Sequence, residues 1–585
     1  MANDAGDAKT CHLRAMREQS FMKSLFFGVI EEGLIFPWPE PNAQERDTVR
    51  ALLETVRRFF EREVDPAKID RDERISDDVL RGLKELGLFG MLVPQTHGGA
   101  GLSNTGYARV VQEVGGMDPS IAVTLGAHQS IGLKGLLQFG SQELKDKYLP
   151  RLATGQLIAA FALTEPGAGS DAAAIQTRAE PTAGGYVLNG SKIWTTNGGL
   201  ADLFTVFART SPSDTGVKPK ITAFLVERDW GVKSGPNEHK LGIRGSSTTD
   251  LFFENVRVPH SNILGEPGRG FRVAMLVLNS GRLGLASGCV GLCKRLLKLA
   301  VERCRERRAF GRPIGEFGLI KDKIASMMAQ TWAIESMTYL TTGMVDAGVD
   351  DYSVESAICK VYGSETCWRV ANEALQIAAG IGYMASYPYE RLLRDARINL
   401  IFEGTNEILR AFIALSGMQG PGRERADVAR AMREPIKGFG LLSDFAIRKA
   451  RGAFGRERMT KHHPLLKREA VLFEEYVQLL AQEVDKVLRK HGRDIAEMQY
   501  TQKRTAELAI ELYAVAACIA RTTHAIERRG EEGARRETDL TSIFAATART
   551  RMEQIVAEVD KNDDELRKAV ATKTFDDGGY PFDAV

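Results

Sequence analysis

The chain has 585 residues, 43% of them hydrophobic and 26% charged, with 78 Lys and Arg against 76 Asp and Glu. A net charge of +2 excludes wholesale nucleic-acid binding and leaves any basic function to a local segment. At about 150 residues per domain the length predicts three to five domains, and seven scattered cysteines with no CxxC exclude a disulfide framework.

Residues 1–43 read as an N-terminal arm. MANDAGDAKT is acidic, without the apolar core of a signal peptide or the Arg-rich character of a transit peptide. SFMKSLFFGVI (Ser20 to Ile30) is amphipathic and is expected as a surface packing segment ahead of Pro37, Pro39 and Pro41. No apolar run is expected to reach the roughly 18 residues of a membrane span. The protein is therefore expected to be cytoplasmic, of bacterial type, or mitochondrial after loss of a transit peptide.

Residues 44–157 carry a helical period, including DDVLRGLKELGLFGMLVP and, after the turn THGGAGLSN, GYARVVQEVGG. Residues 158–270 change to short β-branched or aromatic runs bounded by Gly, Asn, Asp or Pro, which predicts an antiparallel sheet and not βαβ units. Residues 271–418 return to long helical segments suited to an antiparallel four-helix bundle. Residues 419–463 read as a basic linker, with Gly417 to Arg433 rich in Gly, Pro and Arg. Residues 464–585 carry three more helical patterns, broken near His491–Asp494 and Arg529–Glu537, and predict a second helical bundle. The fold class is thus mostly α with a central antiparallel β domain.

No GxxxxGK[ST], strand-borne GxGxxG, HExxH or zinc-like cluster is present, so neither a Rossmann nor a metal enzyme is expected. Four other segments carry chemistry. TEPGAGSD (Thr164 to Asp171) follows an apolar strand, and its glycines allow close backbone approach to a flat ligand, or equally form a Gly-rich turn with an Asx or Ser cap. KIWTTNG (Lys192 to Gly198) offers an aromatic and two hydroxyls to a planar ring, or equally a Trp that fills the core. RRAFGRPIGEFGLIKDKIA (Arg307 to Ala325) sets arginines and Phe310 where they would pair with pyrophosphate and stack on adenine, or form a solvated basic turn. RDARINLIFEGTNEILR (Arg394 to Arg410) holds Glu403 after Ile398, Leu400, Ile401 and Phe402; such a setting disfavours the ionised form and raises the pKa toward that of a general base, or else Glu403 is a solvated loop residue before an N-capping Thr405 or Asn406.

Taken together and in this order, the four segments resemble the acyl-CoA dehydrogenase family. The resemblance covers at least residues 44–417. The long C-terminal extension, LGAHQSIG (Leu125 to Gly132) and NGGLADLFTVFA (Asn197 to Ala208) further resemble its very-long-chain subgroup, as do residues 20–37. The resemblance implies FAD-dependent α,β-dehydrogenation of long acyl-CoA thioesters to trans-2-enoyl-CoA, the first step of fatty acid β-oxidation. It makes Glu403 the base. Phe161, Leu163, Thr164, Gly169, Ser170, Trp194, Thr195 and Thr196 would line the flavin. Arg307, Phe310, Gln376, Ala379 and Gly380 would bind its ADP part, partly across a homodimer interface, and Thr405 and Glu407 would close the site. Ser170 and Arg282 would hold the CoA moiety, and Gly404 would lie along the thioester. Ala122 and Gly126 would set the floor of the acyl cavity, where medium-chain relatives carry larger polar residues.

Some branches carry the base beside the position of Arg282; here that neighbour is Gly281. In the implied chemistry, Glu403 removes the α-proton and hydride leaves the β-carbon for flavin N5. The Glu403 backbone N–H polarises the thioester carbonyl, and an electron-transferring flavoprotein takes the electrons. An acyl-CoA oxidase using O₂ shares these motifs. The non-enzyme alternative is a respiratory-complex assembly or scaffold protein that kept the fold. Between Pro435 and Arg468, nine basic residues face two acids, a local charge of +7 that suits an anionic membrane surface.

Overall fold

Short polar residues before the apolar stripes start the first helices. Asn42, Ser76, Ser103 and Ser141 each accept a backbone N–H three residues on, capping α2 (Ala43–Glu63), α4 (Asp77–Glu85), α5 (Asn104–Met117) and α8 (Gln142–Ala153). Between them lie α3 (Pro66–Asp72), α6 (Pro119–Gly126) and α7 (Lys134–Phe139). The computed structural model describes residues 20–210, 220–431 and 457–584.

LGAHQSIG continues α6 as a π-helical turn, Ala127–Gly132, a widened geometry often found at functional sites. Its polar residues act as anchors. His128 Nδ1 accepts the Ala159 N–H (2.9 Å), which leaves Nε2–H to the carbonyls of Phe89 and Leu152 (3.1 and 3.2 Å). Burial holds the His128 pKa down at about 4, so the ring stays neutral.

The sheet comprises β1 (Ala159–Ala162), β2 (Arg178–Thr182), β3 (Gly185–Thr196), β4 (Leu203–Arg209), β5 (Ile221–Glu227), β6 (Lys233–Ser234), β7 (Thr248–Pro259) and β8 (Ile263–Leu264). Its order is β6-β7-β3-β2-β4-β5-β8, with β1 added on β4. The expectation of an antiparallel sheet needs one correction, because β1 and β2 both pair parallel to β4. Strand β4 is buried along nearly its whole length and reads LFTVFAR, the composition of a strand covered on both faces.

The four-helix bundle contains α9 (Gly270–Glu306), α10 (Gly318–Asp346), α11 (Ser353–Ala378) and α14 (Asn406–Ala431), with α12 (Gly380–Tyr383) and α13 (Pro388–Arg397) before α14. A small hairpin, β9 (Arg308–Ala309) and β10 (Arg312–Pro313), links α9 to α10. Helix α9 is itself long and apolar enough to span a bilayer, contrary to the expectation from apolar runs. It lies in the protein interior, with 72% of its most apolar window buried. That is the ordinary reason for a helix to be apolar on every side.

The C-terminal extension adds α15 (Lys467–His491), α16 (Gln499–Gly533), α17 (Arg535–Asp560) and a fourth helix, α18 (Asp564–Asp577), beyond the three expected. Two further expectations are corrected. The N-terminal α1 (Phe21–Leu25) is core and not surface: Phe21 stacks on Phe473 of α15 at 6.4 Å, and Ser20 and Met22 donate to buried Glu355 of α11. The stretch read as linker from Gly417 is helical to Ala431 through Pro421. Its glycines are packing positions, since a Cβ at Gly417 would meet the Phe26 ring at 2.2 Å and one at Gly420 the Phe27 ring at 2.7 Å. Most of the basic segment, 432–456, lies outside the described residues; its end is docked, with Thr460 and Lys461 N–H groups on Glu32.

Candidate active site

Glu403 ends the approach to α14 in a turn whose two residues are both left-handed, with φ of 60° at Glu403 and 94° at Gly404. A left-handed non-glycine residue is strained and is held there by its surroundings. Those surroundings are visible. Arg282 Nε on α9 donates to the Glu403 carbonyl (3.3 Å), and Lys360 Nζ on α11 donates to the Gly404 carbonyl (2.8 Å). Thr405 caps α14 by accepting the Ile408 N–H. No hydrogen bond engages the Glu403 amide among the described residues.

The carboxylate of Glu403 is enclosed, and its Oε2 is buried without a hydrogen-bond partner among the described residues. Burial raises its pKa to about 7, with Arg282 and Lys360 pulling the other way. A Cβ at Gly281 would stand 2.8 Å from Oε2. A side chain at position 281 and the carboxylate of Glu403 therefore compete for the same space, and the glycine leaves it to Glu403.

Glu403 faces a cavity enclosing about 730 Å³ outside protein atoms, part of it continuous with solvent. Ala122, Gly126 and Thr196 line it, as do Gly284, Gly288 and Leu292 of α9. Its small residues are of two kinds. At Gly115 a Cβ would strike the backbone of Gly288 at 2.9 Å, so this glycine permits close helix crossing. At Gly126 a Cβ would meet only Ser130 Oγ, at 3.9 Å, and at Gly288 nothing within 4 Å. These two leave open volume.

The TEPGAGSD and KIWTTNG segments meet at the sheet edge through residues the motif reading passed over. Lys192 Nζ, fully buried, pairs with Glu165 at 2.7 Å and donates to the Leu163 carbonyl (3.1 Å). Glu165 also accepts the N–H groups of Gln176 and Thr177. The partner charge and these donors hold its carboxylate below the ordinary range despite burial, while burial lowers Lys192 to about 8. Ile193 N–H donates to the Thr164 carbonyl (2.9 Å), which locks the two segments side by side. Lys192, the one charged residue of β3, was the available signal.

Trp194 does not fill the core. It is 64% exposed with φ 55°, at a register irregularity between Lys192 and Thr195. A bulge that turns an aromatic outward is a device for re-aiming a side chain beside a site. Thr195 is buried, and its Oγ1 has no partner among the described residues. Phe161 and Leu163 are half-buried; Gly169 and Ser170 are exposed, with open space around Gly169.

Arg307, Phe310, Ala379 and Gly380 converge on a second groove, which shares no lining residue with the Glu403 cavity. Phe310 is 95% exposed, and Ala379 is left-handed at φ 55°. Gln376 is exposed just before it, and Glu407 is exposed on the first turn of α14. Arg282 lies on α9 beside the turn. It is buried, donates to Asn279 (3.0 Å) and to the Glu403 carbonyl, and so supports the turn. All six cysteines among the described residues are buried and free.

Comparison with known proteins agrees along the chain. Residues 46–156, 160–256 and 268–418 match the N-terminal, middle and C-terminal domains of acyl-CoA dehydrogenase, and residues 464–580 match the ACAD9/ACADV C-terminal domain. The human mitochondrial very long-chain specific acyl-CoA dehydrogenase is 43% identical over 92% of this chain and 84% of its own. The Bacillus anthracis acyl-CoA dehydrogenase, solved in complex with FAD, is 31% identical with a TM-score of 0.79, covering 96% of each chain. Butyryl-CoA dehydrogenase of Megasphaera elsdenii, 36% identical with a TM-score of 0.61, covers 64% of this chain and 98% of its own. With its base-like Glu403, its small-residue cavity and these matches from end to end, the chain belongs to the acyl-CoA dehydrogenase family.

Proposed function

We propose that this protein dehydrogenates long and very long acyl-CoA thioesters to trans-2-enoyl-CoA, with Glu403 as the base and FAD as cofactor. The observation that carries the chain length is the course of the cavity. It follows α9 from Gly281, beside Glu403, to Leu292, eleven residues or about 16 Å at 1.5 Å per residue. An extended chain advances about 1.25 Å per carbon on standard C–C bonds, so this length takes up about 13 carbons. Along α9 the wall residues, Gly281, Gly284, Leu285, Gly288 and Leu292, are apolar or small, as a methylene chain requires.

The residues fit FAD. An exposed Trp194 on a bulge, an unpartnered Thr195 hydroxyl and the open Gly169 suit a planar ring system. Arg307 and Phe310 suit a pyrophosphate and an adenine. When bound, FAD supplies the two-electron acceptor for the β-hydrogen. This chain's part is the proton. Glu403 in its ionised form takes the α-proton, and its burial makes the carboxylate basic enough to do so. The unengaged Glu403 amide faces the role of donor to the thioester carbonyl, whose oxygen gains charge as the proton leaves. Burial of the carboxylate oxygen limits its contact with water.

The homodimer, an electron-transferring flavoprotein as acceptor and a peripheral seat on an anionic membrane belong to the same reading. The exposed Phe310 and the basic 435–468 segment support the first and the last. A mitochondrial or bacterial compartment suits the reading, and the human and rat relatives are mitochondrial by name. The test is anaerobic bleaching of flavin absorbance by acyl-CoAs from C4 to C20, in the parent and in Glu403→Gln. Bleaching strongest at C14 and longer, abolished in the variant with acyl-CoA still bound, is expected. A variant that turns over within a few-fold of the parent removes Glu403 from the mechanism.

A further inference from the structure

Among the described residues two lysines are fully buried, Lys192 and Lys360. Lys192 has a carboxylate partner at 2.7 Å. Lys360 has none in contact among the described residues. Its Nζ donates to the Gly404 carbonyl and to Asn406 Oδ1, both at 2.8 Å. A buried ammonium without a contacting counter-ion is costly to the fold, so its presence beside a strained turn calls for a reason other than stability.

The rest of the network fixes how Lys360 is received. Asn406 Nδ2 donates to Ser364 Oγ (3.0 Å) and to Glu365 Oε1 (3.2 Å). Both contacts commit the amide nitrogen, so its oxygen must face the lysine. Glu365 is occupied in turn by Arg410 at 2.8 Å. The charged and titratable groups around Lys360 are Glu403 from the turn, Arg282 and Cys289 from α9, and Glu365 from its own helix. Glu403 alone of the two carboxylates has no hydrogen-bonded cation.

We propose that Lys360 is the positioning residue of the catalytic turn. Its ammonium holds the left-handed Glu403–Gly404 backbone through the Gly404 carbonyl and supplies the positive charge that keeps the buried Glu403 carboxylate ionised. The proposal rests on the reading of Glu403 as base. Burial brings the two groups together in titration, lowering Lys360 to about 7 and raising Glu403 to about 7. Each then stabilises the charged form of the other. Loss of the lysine charge removes one of the two cations that lower the Glu403 pKa, the other being Arg282.

The experiment compares pH profiles of kcat/KM for the flavin-loaded parent, Lys360→Met and Lys360→Arg, with palmitoyl-CoA. Met keeps the stem and removes the charge. We expect its acid limb to move upward by about one pH unit or more, with kcat lowered at least tenfold and binding of a non-reactive acyl-CoA thioether unchanged within threefold. Arg is expected to restore the acid limb while leaving kcat below the parent. A second variant, Asn406→Asp, keeps an acceptor for Nζ but sets an anion against it, and should raise the acid limb even if Lys360→Met does not fold. An acid limb unmoved in Asn406→Asp, or in a folded Lys360→Met, overturns the proposal. Parent-like turnover in Glu403→Gln would instead overturn the reading of the base, whatever the lysine variants do.

Discussion

Replacing Gly126 by leucine tests whether the cavity along α9 is the acyl site. The position is favourable because the glycine Cβ direction is open, with Ser130 Oγ at 3.9 Å the one neighbour within 4 Å. Ser130 also lies 3.6 Å from the Cβ direction of Gly284, three residues or about 4.5 Å along α9 from Gly281. A leucine there adds four carbons to the cavity nearly one helical turn from Glu403, and displaces about four methylenes of a long acyl chain. At about 0.8 kcal/mol per methylene the loss is about 3 kcal/mol, roughly a 100- to 200-fold fall in kcat/KM. Acyl chains that end before the obstruction lose nothing by this mechanism. The assay is kcat/KM from C4 to C20 with an artificial electron acceptor, alongside flavin content as a check on folding. C16 is expected to fall by two orders of magnitude while C4 and C6 stay within threefold. A uniform fall at all lengths, or an unchanged profile, would refute the assignment of this cavity to the acyl chain.

Lys192→Met leaves Glu165 buried without its counter-ion, and should cost about 3–5 kcal/mol in denaturant unfolding, with faster loss of flavin; a change under about 1 kcal/mol would deny the pair its joining role. The parent's kcat/KM should fall tenfold per pH unit below about pH 7, because Glu403 acts only when ionised and its raised pKa places that transition there. A flat profile down to pH 5 would contradict the raised pKa. The 435–468 segment should carry the protein onto anionic vesicles at low salt and release it at high salt. Absence of binding at low salt, or binding unchanged after deletion of 436–458, would count against it.

Much of the architecture was legible because it rests on local period and on chemistry confined to short segments. Apolar spacing announced the helices on both sides of the sheet, and β-branched runs between turn residues announced the sheet. Glu403 was open to two readings, a raised base after Ile401 and Phe402 or a solvated loop residue, and the resemblance carried by the four segments together made it the base. The packing partners were not legible. Gly417 and Gly420 read as a linker, yet they are glycines because Phe26 and Phe27, some 390 residues earlier, lie against them. Trp194 was open to two readings, and a register irregularity against β7 turned it outward.

The residues that hold the site divide in the same way. By itself the amino-acid sequence determined which groups carry charge, where the backbone is free to turn and which segments repeat at 3.6 or 2 residues, since those properties belong to single residues and near neighbours. Only the tertiary structure decided that Lys192 neutralises Glu165, that Lys360 reaches the Gly404 carbonyl from another helix, and that Gly281 clears the space Glu403 occupies. Burial, and with it the pKa of a base, is a property of what the rest of the chain brings around a group, and segments far apart in sequence supply it.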